Sequence, residues 1–213
     1  MSLTKANTRM LEGDLPASQI TGELPVGQVP TIPNSKLENS SVTINGSAVP
    51  LGGSTTISSG ITDADQFRLT ATITNTNADI TTNLERVDNP TFAKIGNGMS
   101  LSNGIFTFPS TGLYSVLVQT FFQAKFDGLE VLHQVSTDGG STYITTSSND
   151  IGYFGTEYVR GTVFGQVFIN VTDTTNFRMK FKTSGMGNSV STVIGNTDMN
   201  KTSFTFIRLG ASS

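Results

Sequence analysis

Apolar and polar residues alternate with a period of two along most of the chain from Gln66 onward. In the segment 67–73, for example, Phe67 and Leu69 flank Arg68, which is typical of a strand with one buried face. Short segments of this kind, joined by turns rich in Gly, Asn, Asp and Ser, predict an all-β antiparallel sandwich or jelly roll over 63–213. The later segments with this alternation are 113–124, 129–135, 163–171, 177–182 and 202–209.

Residues 15–62 have a different pattern, in which a proline repeatedly follows an apolar residue. Proline removes a backbone donor and pushes its predecessor into extended geometry, so neither a helix nor a central strand is expected. Three parallel chains would bury the apolar side chains along a common axis, which predicts an extended, β-rich trimeric stalk with a hairpin turn at Asn45-Gly46. A disordered linker is the alternative. The apolar residues are Ile20, Leu24, Val29, Ile32, Leu37, Val42 and Ile44.

The composition excludes several classes of function. The net charge is −3, and a nucleic-acid-binding protein needs a basic surface, so no nucleic-acid partner is expected. The chain has no cysteine, which excludes disulfides and thiol chemistry. No apolar run reaches the roughly 18 residues of a membrane span, and the first residues lack the apolar core of a signal peptide. We therefore expect no membrane insertion.

The residue types needed for catalysis are few. His133 is the only histidine, and it lies between Val131 and Val135 without a nucleophile motif nearby, so a structural role is expected. The run Ser136-x-Asp138-x-Gly140-x-Thr142-Tyr143 is similar to the Asp-box hairpin of sialidase propellers. It occurs once, and we interpret it as a structural turn in which the Asp138 side chain binds turn amides. We expect no catalytic residue, no transition metal and no cofactor.

Two pairs of carboxylates have the spacing of candidate acid and base groups, Asp63 with Asp65 and Asp127 with Glu130. Glycoside hydrolysis needs two carboxylates at a defined separation, and neither pair is accompanied by a Trp or Tyr platform. The sequence therefore predicts that the protein is not an enzyme. A calcium ion bound by loop carboxylates is left open. Its candidate ligands are Asp127, Asp150 and Glu157.

Residues from about 85 to 210 resemble the head domain of the C1q/TNF-like family. The most specific part is the run Gly104-x-Phe106-x-x-Pro109-x-x-Gly112-x-Tyr114, where Phe106 and Tyr114 would anchor neighbouring strands. The closing Ser203-Phe204-Thr205-Phe206 is similar to the aromatic terminal strand of that family. The resemblance implies a compact antiparallel jelly roll that forms a homotrimer about its long axis, presents loops as a binding surface and carries no chemistry.

The N-terminal part is similar to the tail fibres of marine and cyanobacterial phages. The similarity lies in the opening MSLTKANTRMLEG and in the shaft-like stretch NSKLENSSVTINGSAVPLGGSTTI. It implies that the N-terminus docks on other virion proteins. Residues 1–14 would form this attachment segment, either as a short helix or as a terminus that orders only against its partner. Its apolar residues are Leu3, Met10 and Leu11.

The two resemblances together predict a short trimeric bacteriophage tail fibre in the virion, whose head binds a glycan or protein of the host surface. The alternative is a capsid decoration protein or head fibre with a structural role. A secreted C1q-like module of a cellular organism is a third hypothesis.

Two sets of candidate contact residues follow from these hypotheses. The glycine-rich segment 147–159 is expected to be a loop that exposes aromatic rings to a receptor, although the rings could instead pack under the sandwich edge. The candidate receptor contacts are Tyr153, Phe154 and Tyr158, with Tyr153 favoured. The segment 113–123 mixes polar and apolar residues on one face, which indicates a sheet that also meets a neighbouring subunit. The candidate trimer contacts are Leu113, Leu117, Phe121, Phe204 and Phe206.

Overall fold

A computed structural model describes residues 31–44, 46–56, 60–153, 155–187 and 190–213. These residues belong to two compact units, with the division between Ile57 and Ser58. The predicted attachment segment, with Leu3, Met10 and Leu11, lies outside the described residues, as does the stalk region up to residue 30. We call the second unit, described from residue 60 onward, the head.

In the described part of the first unit, the regular elements are a 3-10 turn, Asn34–Lys36, and an antiparallel hairpin of strands β1, Ser41–Ile44, and β2, Ser47–Pro50. Val42 pairs with Val49 across the hairpin, and the predicted turn around Gly46 is confirmed by its positive φ of 81°. The trimeric arrangement predicted for this region stays a prediction.

The head is built from strands joined by short turns, and in the described part of the chain no helix is long and apolar enough to cross a membrane. The strands are β3 Ala64–Leu69, β4 Ile73–Thr74, β5 Leu84–Arg86, β6 Ser100–Ser102, β7 Ile105–Thr107, β8 Gly112–Ala124, β9 Asp127–Ser136, β10 Ile144–Tyr153, β11 Val159–Val171, β12 Arg178–Ser184, β13 Thr192–Val193 and β14 Ser203–Gly210.

These strands form two antiparallel sheets that face each other. The smaller sheet has the order β10-β9-β12-β7-β6, and the larger has the order β4-β13-β8-β14-β3-β5 with β11 on the other side of β8. Strand β8 is the centre of the larger sheet, because β11 pairs with all of it from Gly112 to Ala124 while β14 and β13 share its opposite side. The all-β antiparallel prediction is confirmed.

Aromatic side chains fill the space between the sheets. The Phe106 ring lies 5.0 Å from the rings of Phe67 and Phe206, and the Phe181 and Phe204 rings stack at 4.1 Å. Phe204 and Phe206 are fully buried in this cluster, so they have no surface with which to contact another subunit. Their assignment to the trimer interface was wrong, because both belong to the core of their own protomer.

The predicted strand 67–73 is interrupted after Leu69. The Thr70 amide still donates a hydrogen bond to the Asn83 carbonyl oxygen next to β5, and the following residue, Ala71, is exposed. The chain rejoins the sheet at Ile73, where it pairs with β13 instead of β14. The strand is interrupted because its partner changes from β14 to β13, and both of these strands lie far from it in sequence.

A buried carboxylate fastens the start of the head. Asp65 accepts hydrogen bonds from the Arg86 guanidinium at 2.9 to 3.1 Å and from the Met99 amide at 2.8 Å. Asp63, two residues earlier, accepts a hydrogen bond from the Ser110 hydroxyl at 3.1 Å. Both members of this predicted carboxylate pair are therefore bound within the fold.

His133 is fully buried between the sheets, with its ring 5.7 Å from that of Phe181. Neither ring nitrogen has a hydrogen-bond partner among the described residues. Burial disfavours the charged imidazolium and lowers the pKa of His133 to about 4. The structural role predicted for this histidine agrees with its position in the core.

We expect Asp65→Ala to lower the free energy of unfolding by about 2–4 kcal/mol, because it removes the charged partner of Arg86 and the acceptor of the buried Met99 amide. Denaturant unfolding measures this loss. The control is Asp79→Ala, which removes a surface ion pair with Lys180 at 2.8 Å and should cost less than about 1 kcal/mol. Equal losses in the two variants would contradict the structural role of Asp65.

We expect His133 to make the head less stable in acid. The unfolded chain takes up this proton near pH 6.5 and the folded chain only near pH 4, so stability falls as the pH drops through that window. The contribution lost is about 3 kcal/mol. Unfolding curves between pH 7 and pH 4 should show a steeper loss for the native protein than for His133→Leu. Parallel curves would mean that His133 is not buried in its neutral form.

Candidate binding surface

Asp63, Asp65 and Asp138 are held by hydrogen bonds within the fold. The described residues hold no group of three or more His, Cys, Asp or Glu that could bind a metal ion. Asp138 accepts hydrogen bonds from the Thr142 hydroxyl at 2.6 Å and amide at 2.9 Å, and from the Ser136 hydroxyl at 2.7 Å. These bonds, led by that of the Thr142 side chain, lower the pKa of Asp138 to about 2. The interpretation of this motif as a structural turn is confirmed.

Asp127 joins two loops instead of pairing with Glu130. Its carboxylate accepts hydrogen bonds from the Gly187 amide at 2.7 Å and from the Ser191 hydroxyl. Glu130 lies directly opposite Asp150 in the ladder between β9 and β10. Asp127 therefore positions the segment that follows β12.

The direction of β8 defines the two ends of the head. Ala64, at the beginning of β3, pairs with Ile207, and Ile207 pairs with Ser115 near the beginning of β8. The last residue of β8, Ala124, pairs with Val159. The β8–β9 turn and the β10–β11 connection therefore lie at the end of the head opposite to its own N-terminal residues.

Two aromatic rings are exposed at this far end. Phe126 is 54% exposed and Tyr158 is 53% exposed, and the Lys125 Nζ lies 4.8 Å from the centroid of the Tyr158 ring and 5.7 Å from that of Phe126. We call Lys125, Phe126 and Tyr158 the distal aromatic surface. An exposed ring beside a lysine offers an apolar contact face and a cation at one place.

The backbone of the β8–β9 turn holds Phe126 in an unusual conformation. Its φ is +54°, and a bulky residue in the left-handed region is an outlier that the surrounding structure must stabilise. Such strain is concentrated at functional sites. The sequence analysis did not single out Phe126. A large aromatic residue between two segments of alternating apolar and polar residues could have identified it.

The predicted contact loop 147–159 is mostly a strand. Strand β10 pairs with β9 from Ile144 to Tyr153, so only residues 154–158 connect it to β11. Tyr153 is half-buried and packs against the core, which corrects the expectation of a freely exposed ring. Tyr158 is exposed, as a receptor contact would need to be, and Phe154 lies outside the described residues.

The outward side of the larger sheet carries a second exposed apolar group. Leu117 is 39% exposed on β8, while Phe164 and Phe168 on β11 are 63% and 59% exposed. Gln166 pairs with Leu117, so the even-numbered residues of β11 share a face with the odd-numbered residues of β8. We call this the outward apolar face. It consists of Leu113, Leu117, Phe121, Phe164 and Phe168.

Comparison with solved structures shows the fold of the head. The chain is similar to the Eiger TNF of S. frugiperda, with a TM-score of 0.55 and 12% sequence identity over 70% of this chain and 94% of that chain. It is also similar to murine APRIL at pH 5.0, with a TM-score of 0.50 and 12% identity over 69% of this chain and 98% of that chain.

By sequence, no protein-family model and no curated protein matches the chain. At 12% identity the structural likeness concerns the fold alone. The head has a TNF-like jelly-roll fold, as the resemblance of residues 85 to 210 implied.

Proposed function

We propose that this protein is a short trimeric fibre of a bacteriophage virion, attached to the particle through residues 1–14 and binding the host surface through its head. The observation that carries the proposal is the position of the distal aromatic surface. Phe126 and Tyr158 are exposed at the end of the head opposite to its own N-terminal residues. A chain anchored at its N-terminus would present that end outward.

Binding, not catalysis, fits the chemistry of the head. His133 is buried and has no hydrogen-bond partner among the residues that the structure describes, and Asp63, Asp65 and Asp138 are held by structural hydrogen bonds. Exposed aromatic rings supply contact area at low entropic cost. Simultaneous contact by three heads would raise the apparent affinity by roughly 10²–10⁴ over that of one head.

We infer that the chain forms a homotrimer through the outward apolar face. Phe164 and Phe168 project from the same face of β11, one on each side of Gln166, and the exposed Leu117 lies opposite Gln166 on β8. Exposed apolar side chains grouped on one face mark interaction sites. The occupant we propose is the same face of further copies of the chain, arranged around a closed three-fold axis. The apolar residues of the stalk region would be buried along that axis.

The homotrimer should depend on β11. We expect the double variant Phe164→Ser and Phe168→Ser to be folded but monomeric, because it replaces the two most exposed rings of the proposed interface. Light scattering coupled to size exclusion measures the mass. The control Phe126→Ser, an equally exposed ring outside this face, should remain trimeric. A native protein that is monomeric at micromolar concentration would refute the proposal.

The distal aromatic surface should be needed for adsorption. We expect Tyr158→Ala and Phe126→Ala to keep the native melting temperature within about 2 °C, since exposed residues contribute little to stability, while particles carrying them adsorb poorly to host cells. The control Ile144→Ala changes another exposed apolar residue, at the opposite end of β10, and should leave adsorption unchanged. Normal adsorption of both test variants would rule out this surface as the host contact.

A further inference from the structure

We propose that the head binds an acidic polysaccharide, one that carries carboxylate groups, through two cations at its far end. The inference rests on the proposed host-surface function and names the class of ligand. The cations are Arg160, near the beginning of β11, and Lys201, in the loop before β14. We call Arg160, Lys201, Gln123 and Phe121 the cationic rim. It lies beside the distal aromatic surface, because Tyr158 precedes Arg160 by two residues.

The pairing of β8 with β11 places the cationic rim on one face. Arg160 pairs with Gln123, and Thr162 pairs with Phe121. Side chains alternate along strands, so Arg160, Gln123 and Phe121 lie on the outward side of the larger sheet. Gln123 and Phe121 are about 7 Å apart along β8 at the usual rise per residue. The Lys201 Nζ lies 5.4 Å from the centroid of the Phe121 ring, so both cations belong to the same surface.

The guanidinium of Arg160 is positioned by a neutral group. Its Nε donates to the Gln123 Oε1 at 2.7 Å, and the Gln123 Nε2 donates to the Val190 carbonyl oxygen at 3.5 Å. The two terminal nitrogens of the guanidinium donate no hydrogen bond to the described residues. These nitrogens form a planar fork that matches the two oxygens of a carboxylate. A ligand carboxylate can therefore bind there without displacing an acid of the protein.

Neither cation is neutralised within the described part of the fold. Arg160 and Lys201 form no ion pair there, although Lys201 is half-buried. The acids nearest to them in sequence, Glu157 and Asp198, are both exposed. A partly buried ammonium without an acid loses hydration that no counter-charge replaces. An anionic ligand supplies that missing charge.

Other cations of the head are used inside the fold. Arg68 and Arg86 bind carboxylates, and Lys94 donates to the backbone oxygens of Gly96 and Asn97. The whole chain has a net charge of −3, so most of its surface does not attract anions. The attraction is therefore local to the cationic rim, which favours a flexible chain with spaced charges over a rigid, densely charged one such as duplex DNA.

The ring of Phe121 adds an apolar surface beside the Lys201 ammonium. Phe121 is half-buried, so part of its ring remains available for contact. A small inorganic anion would pair with the cations and leave the ring uncovered, whereas a neutral sugar would cover the ring and leave the charges unpaired. A sugar unit with a carboxylate does both, since its C–H face packs on an aromatic ring and its oxygens bind the cations.

The cationic rim lies at the far border of the outward apolar face. Arg160 is four residues before Phe164 on β11, which is about 13 Å along the strand. Cations of three copies would repel each other if they were packed together, so the proposed trimer contact ends before Arg160. Three rims are then presented around one axis, where a single polysaccharide chain can reach more than one of them.

Binding of polygalacturonate, an acidic polysaccharide, to the full-length protein tests the site by isothermal titration calorimetry. We expect binding at low salt that weakens as salt is added, and none to dextran, the neutral control polymer. Arg160→Gln and Lys201→Gln should each raise the dissociation constant about fivefold, as expected for the loss of one exposed ion pair. The matched control Lys182→Gln removes the same charge from the outer side of the smaller sheet, and it should bind like the native protein.

Three outcomes would overturn the proposed site: no binding of polygalacturonate, equal binding of dextran, and an equal loss of affinity in Lys182→Gln. Polyglutamate carries carboxylates without sugar rings, and binding as tight as that of polygalacturonate would overturn the choice of a polysaccharide. The variants should keep the native mass by light scattering, because the cations lie outside the trimer contact. The adsorption assay with Phe126→Ala and Tyr158→Ala tests the proposed function independently, so either proposal can fail without the other.

Discussion

The packing of aromatic rings around Phe106 constrains the rest of the head. Rings from both sheets meet there, with Phe67 and Phe206 at 5.0 Å and Phe181 at 5.7 Å from Phe106. A one-residue slip of any contributing strand would turn its ring out of the core, so the cluster fixes the register of the ladders. Once the inward positions are fixed, the alternate residues must face outward. The outward position of Thr205, between the buried Phe204 and Phe206, follows from this constraint.

Much of the fold was predictable because its determinants are local. Period-two segments identified most of the longer strands, and the run from Gly104 to Tyr114 identified a corner of the sandwich. Gly104 has a φ of +76°, and a Cβ there would lie 2.1 Å from the Ile80 carbonyl oxygen, so only glycine fits. The interruption after Leu69 was not predictable, because it depends on the change of partner from β14 to β13.

The candidate sites were harder to predict for a related reason. Alternation shows which residues share a face, but it does not show which face meets the core when both are apolar. Phe204 and Phe206 are a different case, because they alternate with the polar Ser203 and Thr205. That alternation already indicated their burial, and their assignment to the trimer interface overlooked it. Phe126 lies in a connection between strands, where its exposure depends on loops distant in sequence. Such features become visible only when the fold is known.

The long pairing of β8 has a mechanical consequence. Antiparallel hydrogen bonds run perpendicular to the strands, and β11 forms them with β8 along its full length from Gly112 to Ala124. The two ends of the head are also the two ends of this strand. A pull between those ends would shear the whole ladder at once instead of opening its bonds one after another. We therefore expect the head to resist a pulling force most strongly when the force acts along the line from its N-terminal end to the loops around Phe126.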